Sequence, residues 1–496
     1  MIFKHIKNIQ DKHEKKFFLE KINIINELVK KYCILYGYDY ESIEVLTSAI
    51  VEELSEMGIL KKESELYLLQ KLLKKNEYNE LLRSLTFYHQ YKNQSNYFLK
   101  NFYNTYRKQQ QKDRYLSNTP TIIDLFCGAG GFSWGFVKEE YQIILANDIE
   151  PSTIETYKYN HPSLESNKIL NGDIKEIVKN IEGYIEQNVD VIIGGPPCQS
   201  FSSANQQRII DDPRNILYKY YVEAVDRVRP KLILMENVRG MLKVANQVVD
   251  DFQKIGYDVK YKLYDSSDFS VPQKRIRLIY IGVRQDYALE KQISPDKIML
   301  DIENELKNKP YFVLKDALEN IKPLVCPTVK NQTEIDCEYS GKKIDINNYK
   351  GKSNQYIKLI NDNQEFDFVF NHKARYQNEV NRKIYETLKQ GADSTCKSIQ
   401  DIMPYSHRNH IFKDKYYKLI ENEPCRTITA HMKMDCHSHI HPTQGRSLTP
   451  REAARVQSFP DNYLFMGAYL KTYMQIGNAV PPLMGQVFAK VFKTYL

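Results

Sequence analysis

Five short apolar runs, separated by amphipathic stretches, constrain the fold of this chain more than any other feature. The runs are 122–126, 142–146, 189–193, 231–235 and 278–283. Apolar runs of this length that alternate with helical segments are typical of strands in a parallel sheet covered by helices on both faces. The sequence therefore predicts an α/β fold with a doubly wound, mostly parallel sheet.

The remaining segments predict additions to this sheet domain. Residues 1–107 predict a helical N-terminal extension of unknown role, because apolar residues recur at three- and four-residue spacing in 43–54 and in 63–73. Residues 108–120 predict a linker. The core domain is expected at 121–284, an irregular inserted region at 285–425, and a return to the core at 426–496.

A cysteine follows the third apolar run almost at once. The run ends in Gly194-Gly195-Pro196-Pro197, and Cys198 is the next residue. Open α/β sheets carry out their chemistry at the carboxyl ends of strands. Cys198 is therefore a candidate nucleophile.

Glycines and acids after the first three strands predict a cofactor cleft. The run at 122–126 leads into Gly128, Gly130 and Gly131, and Asp148 and Asp173 follow the next two strands. Such a turn lets the backbone approach a ligand, and the acids suit a ribose diol and an exocyclic amine. No phosphate loop of the Gly-x-x-x-x-Gly-Lys-Ser/Thr type is present, so a nucleoside cofactor without a polyphosphate is expected.

Composition narrows the setting of the protein. No apolar run is long enough to span a membrane, and the N-terminus lacks the pattern of a signal peptide, so a cytoplasmic protein is expected. The eight scattered cysteines predict free thiols. A net charge of +8 and 37 tyrosines suit a partner with phosphates and stacking bases, although an AT-rich genome produces the same bias.

Eight motifs in a fixed order reveal a family resemblance. They are DLFCGAGG at 124–131, ND at 147–148, GDI at 172–174, GGPPCQ at 194–199, MENV at 235–238, VPQKRIR at 271–277, REAARVQSFP at 451–460 and QIGNAVPP at 475–482. In these motifs the chain resembles the DNA cytosine-5 methyltransferases of bacterial restriction–modification systems. The resemblance covers 121–496 and leaves the N-terminal quarter uncovered.

The resemblance implies a set of catalytic residues. Cys198 would add to C6 of cytosine, because C5 is a poor nucleophile until a thiolate converts the ring to an enamine. Glu236 would hold N3 and the 4-amino group of the ring. Arg277 would contact O2 of the base, and Arg275 would support the site.

The resemblance also implies S-adenosyl-methionine as the cofactor. Asp148 would bind the ribose hydroxyls, a position where the family more often has Glu. The full expected set is Phe126, Gly128, Gly130, Gly131, Asp148, Ile149, Asp173, Ile174, Pro196, Leu217, Asn478 and Val480. No metal is expected, although His431, Cys436, His437, His439 and His441 are clustered in sequence.

Duplex DNA is the expected partner, with the target cytosine flipped out of the stack. A catalytic loop containing Gln199, Ser200 and Ser202 would close over the base, and 285–425 would be the target-recognition region in the major groove. The protein would act as a monomer near the nucleoid, alongside a cognate restriction endonuclease with which it forms no stable complex. Membrane association is not expected.

Two alternatives remain open at this stage. One is a tRNA cytosine-5 methyltransferase on the same scaffold, which the long insert at 285–425 disfavours. The other is a methyltransferase that doubles as a DNA-binding regulator, with its N-terminal helices around Gly58 forming a helix-turn-helix.

Overall fold

A mixed sheet of seven strands forms the centre of the protein. The computed structural model describes residues 3–93, 119–197, 217–330, 334–346, 351, 353–404 and 415–496. The sheet strands are β1 (Thr121–Leu125), β2 (Gln142–Asp148), β3 (Ile169–Asn171), β4 (Val191–Gly194), β5 (Leu232–Val238), β6 (Tyr257–Asp265) and β8 (Ile276–Arg284). Cys198, Gln199, Ser200 and Ser202 lie outside the described residues.

The strand order is β3-β2-β1-β4-β5-β8-β6. Strand β1 pairs in parallel with β2 and β4, β2 with β3, and β4 with β5. Only β8 runs against its two neighbours, β5 and β6. The prediction of a mostly parallel sheet is therefore confirmed, and the order reverses between β1 and β4, where open sheets of this kind bind ligands.

Helices cover both faces of the sheet and extend the chain at each end. In chain order they are α1 (Lys12–Tyr36), α2 (Thr47–Glu56), α3 (Leu66–Leu72), α4 (Lys75–Tyr91), α5 (Gly131–Lys138), α6 (Pro151–Asn160), α7 (Ile174–Lys179), α8 (Leu217–Val228), α9 (Ala245–Lys254), α10 (Gln285–Lys291), α11 (Pro295–Leu306), α12 (Leu314–Leu318), α13 (Gln355–Ile360), α14 (Glu379–Thr387), α15 (Pro450–Val456), α16 (Tyr469–Asn478) and α17 (Pro482–Lys493).

The two faces bury separate apolar clusters. Ile122 faces a cluster that contains Phe136 of α5 and Phe488 of α17, whereas its neighbour Ile123 faces one that contains Val225 of α8 and Phe252 of α9. Neighbouring residues of a strand point to opposite faces of the sheet. A strand that is apolar at every position is therefore buried on both sides, as the continuous apolar runs predicted.

The C-terminal helix α17 completes the core of the sheet domain. It lies so close to α5 that a Cβ atom on Gly135 would stand 2.3 Å from the backbone nitrogen of Gln486. Helix α11 packs against it, and the Tyr287 hydroxyl of α10 donates to the Tyr495 carbonyl, just after α17, at 2.8 Å. Residues 285–306 thus contact the core domain, and the predicted start of the inserted region at 285 stays a prediction.

Residues 3–93 form a helical module whose apolar cluster also includes side chains from later parts of the chain. Helix α1 begins at the cap Asp11 and ends at Gly37, whose φ of 73° is left-handed. Nine residues, 57–65, separate α2 from α3. A helix-turn-helix joins its helices by a turn of about three or four residues, so the segment around Gly58 does not have that geometry.

Two small sheets lie outside the central one. A hairpin pairs β9 (Gly341–Ile346) with β10 (Phe368–Lys373), and β7 (Gln273–Lys274) pairs in parallel with β11 (Cys425–Arg426). Among the described residues, no helix has both the length and the apolar character needed to cross a membrane.

Candidate active site

An ion pair between Glu236 and Arg277 occupies the carboxyl end of β5. The register opposes Arg277 to Val238, so the two charged residues are diagonal neighbours on one face of the β5–β8 ladder. Arg277 Nε lies 2.6 Å from Glu236 Oε1, and each side chain is about one-eighth exposed. The ion pair orients the carboxylate in this partly desolvated position.

The turn that leads to Cys198 is attached to the same strand. The Asn237 side-chain amide donates to the Pro196 carbonyl at 3.0 Å, and both residues are buried. A Cβ atom on Gly195 would lie 3.0 Å from Glu236 Oε2. The glycine therefore allows the turn to pass directly over the carboxylate, and β5 positions both Glu236 and the residues before the cysteine.

Arg275 supports the site from inside the protein. Its guanidinium is buried and donates from Nη1 to the carbonyls of Ile428 at 2.8 Å and Gly477 at 3.0 Å. Burial lowers the pKa of Arg275 well below its usual range. The side chain joins the start of β8 to two C-terminal segments, whereas Arg277 points to Glu236.

The glycine turn after β1 adopts a conformation that requires glycine. Gly128 and Gly130 have φ of 53° and 85°, and Phe126, which precedes them, has φ of 56°. A Cβ on Gly128 would meet no atom within 4 Å, so its backbone borders open space. Gly130 instead packs against His161 and Tyr463, and Gly131 packs under the carbonyl of Val480.

Asp148 organises the neighbouring turns. Its carboxylate accepts hydrogen bonds from the backbone N–H groups of Gly128 at 3.0 Å and Glu150 at 2.8 Å. Burial raises the pKa of Asp148 above its usual value. Each carboxylate oxygen has a further lone pair, so the group can still accept from a ligand hydroxyl.

The other predicted cofactor residues differ in accessibility. Ile149 is 69% exposed, which is unusual for a large aliphatic side chain and leaves a surface for an aromatic ring. Asp173 is exposed and caps α7 through Lys175 N–H. Ile174 is buried in the apolar cluster, and Leu217, the first residue of α8, is partly exposed.

The C-terminal motif closes over the glycine turn. Asn478 is the exposed last residue of α16, and Val480 is buried above Gly131. The Gln457 side-chain amide donates to the carbonyls of Ile476 at 2.7 Å and Ala479 at 3.3 Å. These bonds hold the segment beside the turn.

A buried polar network that the sequence motifs did not predict lies beneath the glycine turn. Asp124 of β1 accepts from the Tyr157 hydroxyl at 3.3 Å, and burial raises the pKa of Asp124 to about 7. The Tyr463 hydroxyl donates to the Ala129 carbonyl. Asp124 is the first residue of the motif at 124–131. Its burial depends on α6, and only the tertiary fold brings α6 next to β1.

The histidine-rich segment is engaged by protein groups. His437 Nδ1 lies 2.7 Å from the Tyr385 hydroxyl, and His439 Nε2 lies 3.1 Å from the Thr427 carbonyl. Burial lowers the pKa of His437 and of His439 to about 4. The absence of a metal stays a prediction, and the seven cysteines that the structure describes are free thiols.

Comparison with known proteins adds independent findings. The family model of C-5 cytosine-specific DNA methylase matches residues 120–494. The chain is 30% identical to the type II methyltransferase M.AgeI of Thalassovita gelatinovora over 431 residues, which cover 75% of this chain and 98% of that protein. It is 32% identical to M1.HphI of Haemophilus parahaemolyticus over 381 residues, covering 75% and 86%.

A solved structure shares the fold. It is a DNA modification methyltransferase encoded within a prophage, from E. coli, with a TM-score of 0.58 and 24% sequence identity. The match covers 76% of this chain and 99% of that one. This likeness bears on the fold alone.

Proposed function

Because the chain belongs to the C-5 cytosine-specific DNA methylase family and is a DNA cytosine-5 methyltransferase, we propose that it methylates one cytosine in a specific duplex sequence, using S-adenosyl-methionine and covalent attack by Cys198. The observation that carries this mechanism is the Glu236–Arg277 ion pair beside the turn that leads to Cys198. Both sit at the carboxyl edge of the sheet, the edge at which the glycine turn after β1 also lies.

In the proposed reaction the Cys198 thiolate forms a bond to C6 of the cytosine. The electron pair of the C5–C6 double bond moves toward C5 and N3, and Glu236 stabilises the ring by sharing a proton with N3 and accepting from the 4-amino group. S-adenosyl-methionine, when bound, supplies an electrophilic methyl group for C5. Water acting as a base then removes the C5 proton, the C5–C6 double bond re-forms, N3 returns its proton to Glu236, and the Cys198 thiolate leaves.

Arg277 has two roles in this scheme. Its Nε group orients the Glu236 carboxylate, Nη1 donates to the Ile276 carbonyl at 2.8 Å, and the remaining N–H groups would contact O2 of the same ring. Arg275 positions rather than reacts, because its guanidinium is buried and bonded to backbone carbonyls. The geometry of Cys198 itself lies outside the described residues.

The cleft beside Gly128 fits S-adenosyl-methionine. The backbone there borders open space, Asp148 can accept from the ribose, and exposed Ile149 can pack on the adenine. We assign the remaining contacts to Phe126, Asp173, Pro196, Leu217 and Asn478. Ile174 would contribute through its backbone, because its side chain is buried in the core.

The biological role we propose is protection of DNA within a restriction–modification system. The curated relatives are named type II methyltransferases, which favours this role and disfavours tRNA as the substrate. Residues 285–425 would read the sequence, and the catalytic loop at 199–202 would close on a flipped cytosine. We propose a cytoplasmic monomer acting beside a separate endonuclease.

The covalent step can be tested with DNA that contains 5-fluorocytosine, because fluorine at C5 cannot leave as a proton and the adduct accumulates. The wild type should form a denaturant-resistant protein–DNA adduct that requires S-adenosyl-methionine, and Cys198→Ala should form none. Cys127→Ala is the matched control, since its thiol is buried in the core and burial raises its pKa. An adduct in Cys198→Ala, or no cytosine methylation by the wild type in bisulfite sequencing, would refute the mechanism.

A further inference from the structure

The N-terminal helical module is joined to the β9–β10 hairpin by a shared apolar cluster. The cluster contains most of the buried apolar side chains of α1, together with Ile344 of β9 and Phe368 and Phe370 of β10. Helix α1 packs directly against β9. A two-stranded hairpin is marginally stable by itself, so this hairpin depends on what covers it.

Polar contacts at two separate points of α1 fix the same arrangement. The Glu20 carboxylate pairs with Lys343 of β9 and accepts from Gly467 N–H at 2.9 Å. The Tyr36 hydroxyl donates to Asp367, just before β10, at 2.8 Å. Contacts at Glu20 and Tyr36 lie 16 positions apart on the helix, so they fix the direction of α1 as well as its position.

A second set of contacts ties α1 to the catalytic domain. Lys21 pairs with Glu155 of α6, and both side chains are largely buried. Burial of this kind is favourable only when the two charges remain paired. Helix α6 follows Asp148 and Ile149 directly, so α1 bridges the hairpin and the edge of the cofactor cleft.

The opposite side of the hairpin is held by the C-terminal motif region. Asn371 and Phe465 exchange two hydrogen bonds of 2.9 Å, and Arg451 donates to the Phe370 carbonyl at 2.7 Å. The hairpin is thus enclosed between α1 and the segment that contains α15. Its position is set from both sides.

The chain leaving β10 lines a cavity of about 430 Å³. The lining includes Arg375, Tyr376 and Asn378, which follow the hairpin in the chain, together with Lys330, His437 and one carboxylate, Asp435. Arg375 is anchored to the carbonyls of Met432 at 2.8 Å and Met434 at 2.7 Å. Cations, amides and aromatic rings are groups that contact the phosphates and base edges of DNA. Residues of these kinds line the cavity immediately after the hairpin in the chain.

We propose that residues 3–93 are a positioning module for DNA recognition, in which α1 fixes the β9–β10 hairpin and the adjoining cavity relative to the catalytic domain. The family model begins only at residue 120, so this support is an addition to the family's domain. The inference rests on the proposed function, because it requires the region 285–425 to contact DNA.

The test compares two full-length variants that each remove contacts of α1. The first is a triple variant, Glu20→Ala/Lys21→Ala/Tyr36→Phe. It removes the polar contacts of α1 to the hairpin, to α6 and to Gly467. The matched control, Lys30→Ala/Glu80→Ala, removes a 2.9 Å ion pair between α1 and α4 inside the module. The measured quantities are kcat, KM for cognate duplex DNA and Kd for S-adenosyl-methionine.

A positioning role predicts that the first variant raises KM for DNA by at least about tenfold, with Kd for the cofactor near the wild-type value. The control should leave both constants unchanged. A purely structural role would lower the active fraction, and hence kcat, without moving KM for DNA. An unchanged KM for DNA in the folded variant would overturn the proposal.

Should the triple variant not fold, Glu20→Gln gives the same comparison. The amide oxygen can still accept from Gly467 N–H, but the ion pair to Lys343 is lost. A rise in KM for DNA of about threefold or more supports the proposal, and no rise overturns it. Failure of the wild type to methylate cytosine would instead refute the proposed function.

Discussion

Glu236 and Arg277 form a 2.6 Å ion pair across two antiparallel strands, directly beneath the Gly195–Pro197 turn. Neither strand alone could supply this arrangement, because the carboxylate belongs to β5 and the guanidinium to β8. The reversal of direction at β8 therefore makes the pair possible. It brings the start of β8 to the carboxyl edge of a sheet whose other strands run in the opposite direction.

Replacing Arg277 by Lys should lower kcat/KM for DNA by roughly 10- to 100-fold, because lysine is a point charge that cannot contact both Glu236 and a base oxygen in a fixed geometry. Methyl transfer from labelled S-adenosyl-methionine measures the effect. Arg284→Lys at the far end of β8, where the arginine pairs with Asp286, is the matched control and should retain activity. Equal activity of both variants would exclude the proposed role of Arg277.

Replacing Asp148 by Asn should weaken S-adenosyl-methionine binding about tenfold, since a carboxamide has one acceptor oxygen where the turn uses two. Calorimetric titration gives the Kd directly. Glu150→Gln changes the neighbouring carboxylate, which pairs with Lys471, and should bind normally. A normal Kd for Asp148→Asn would remove this residue from the cofactor site.

Asp124→Asn should change how stability depends on pH. Burial raises the pKa of Asp124 in the folded protein to about 7. The folded protein therefore keeps the proton on this carboxyl up to a higher pH than the unfolded chain does. The stability that the proton contributes is present at pH 4 and lost as the pH rises to 8, by up to about 4 kcal/mol. The asparagine variant should not lose this stability, because its amide does not titrate.

Urea unfolding from pH 4 to pH 8 measures the difference between the wild type and Asp124→Asn. The free energy of unfolding of the variant should increase relative to that of the wild type as the pH rises. The exposed residue Asp250 on α9 provides the control, because Asp250→Asn should run parallel to the wild type. Parallel curves for Asp124→Asn would show that Asp124 does not carry this proton.

Arg446→Met should destabilise the protein by about 3–5 kcal/mol, because it leaves Glu452 buried without a cation. Arg446 binds Glu452 with two hydrogen bonds of 2.7 and 2.6 Å, and both residues are fully buried. Burial disfavours the ionised carboxylate of Glu452 and by itself would raise its pKa. The charge and hydrogen bonds of Arg446 have the larger effect, so the pKa of Glu452 is lowered. Urea unfolding at neutral pH measures the loss.

The double variant Arg446→Met/Glu452→Met should recover part of that loss, since no unpaired charge remains. Glu452 also accepts from Thr449 N–H at 2.8 Å at the start of α15, so recovery should be incomplete. If the double variant were as unstable as Arg446→Met, the unpaired carboxylate would not be the cause.

Local patterns in the sequence predicted much of the core. Strand β1 and its glycine turn were evident because a fully buried parallel strand needs continuous apolar residues, and Gly128 needs a left-handed backbone. Strand β6 was not predicted, because polar residues alternate along it and one face remains partly exposed. Strand β5 extends beyond the apolar run at 231–235 to Val238, so Glu236 is one of the last three residues of the strand.

The sequence by itself determined the family and the mostly parallel sheet, and it predicted the residues named for the reaction, because these depend on local periodicity and on motifs that are contiguous in the chain. The tertiary structure decided which of those residues meet. The Glu236–Arg277 pair, the Asn237–Pro196 bond and the burial of Asp124 join residues about 30 to 40 positions apart. The enclosure of the β9–β10 hairpin by α1 spans more than 300 positions. Such contacts form only when apolar faces pack, and no local pattern encodes their partners.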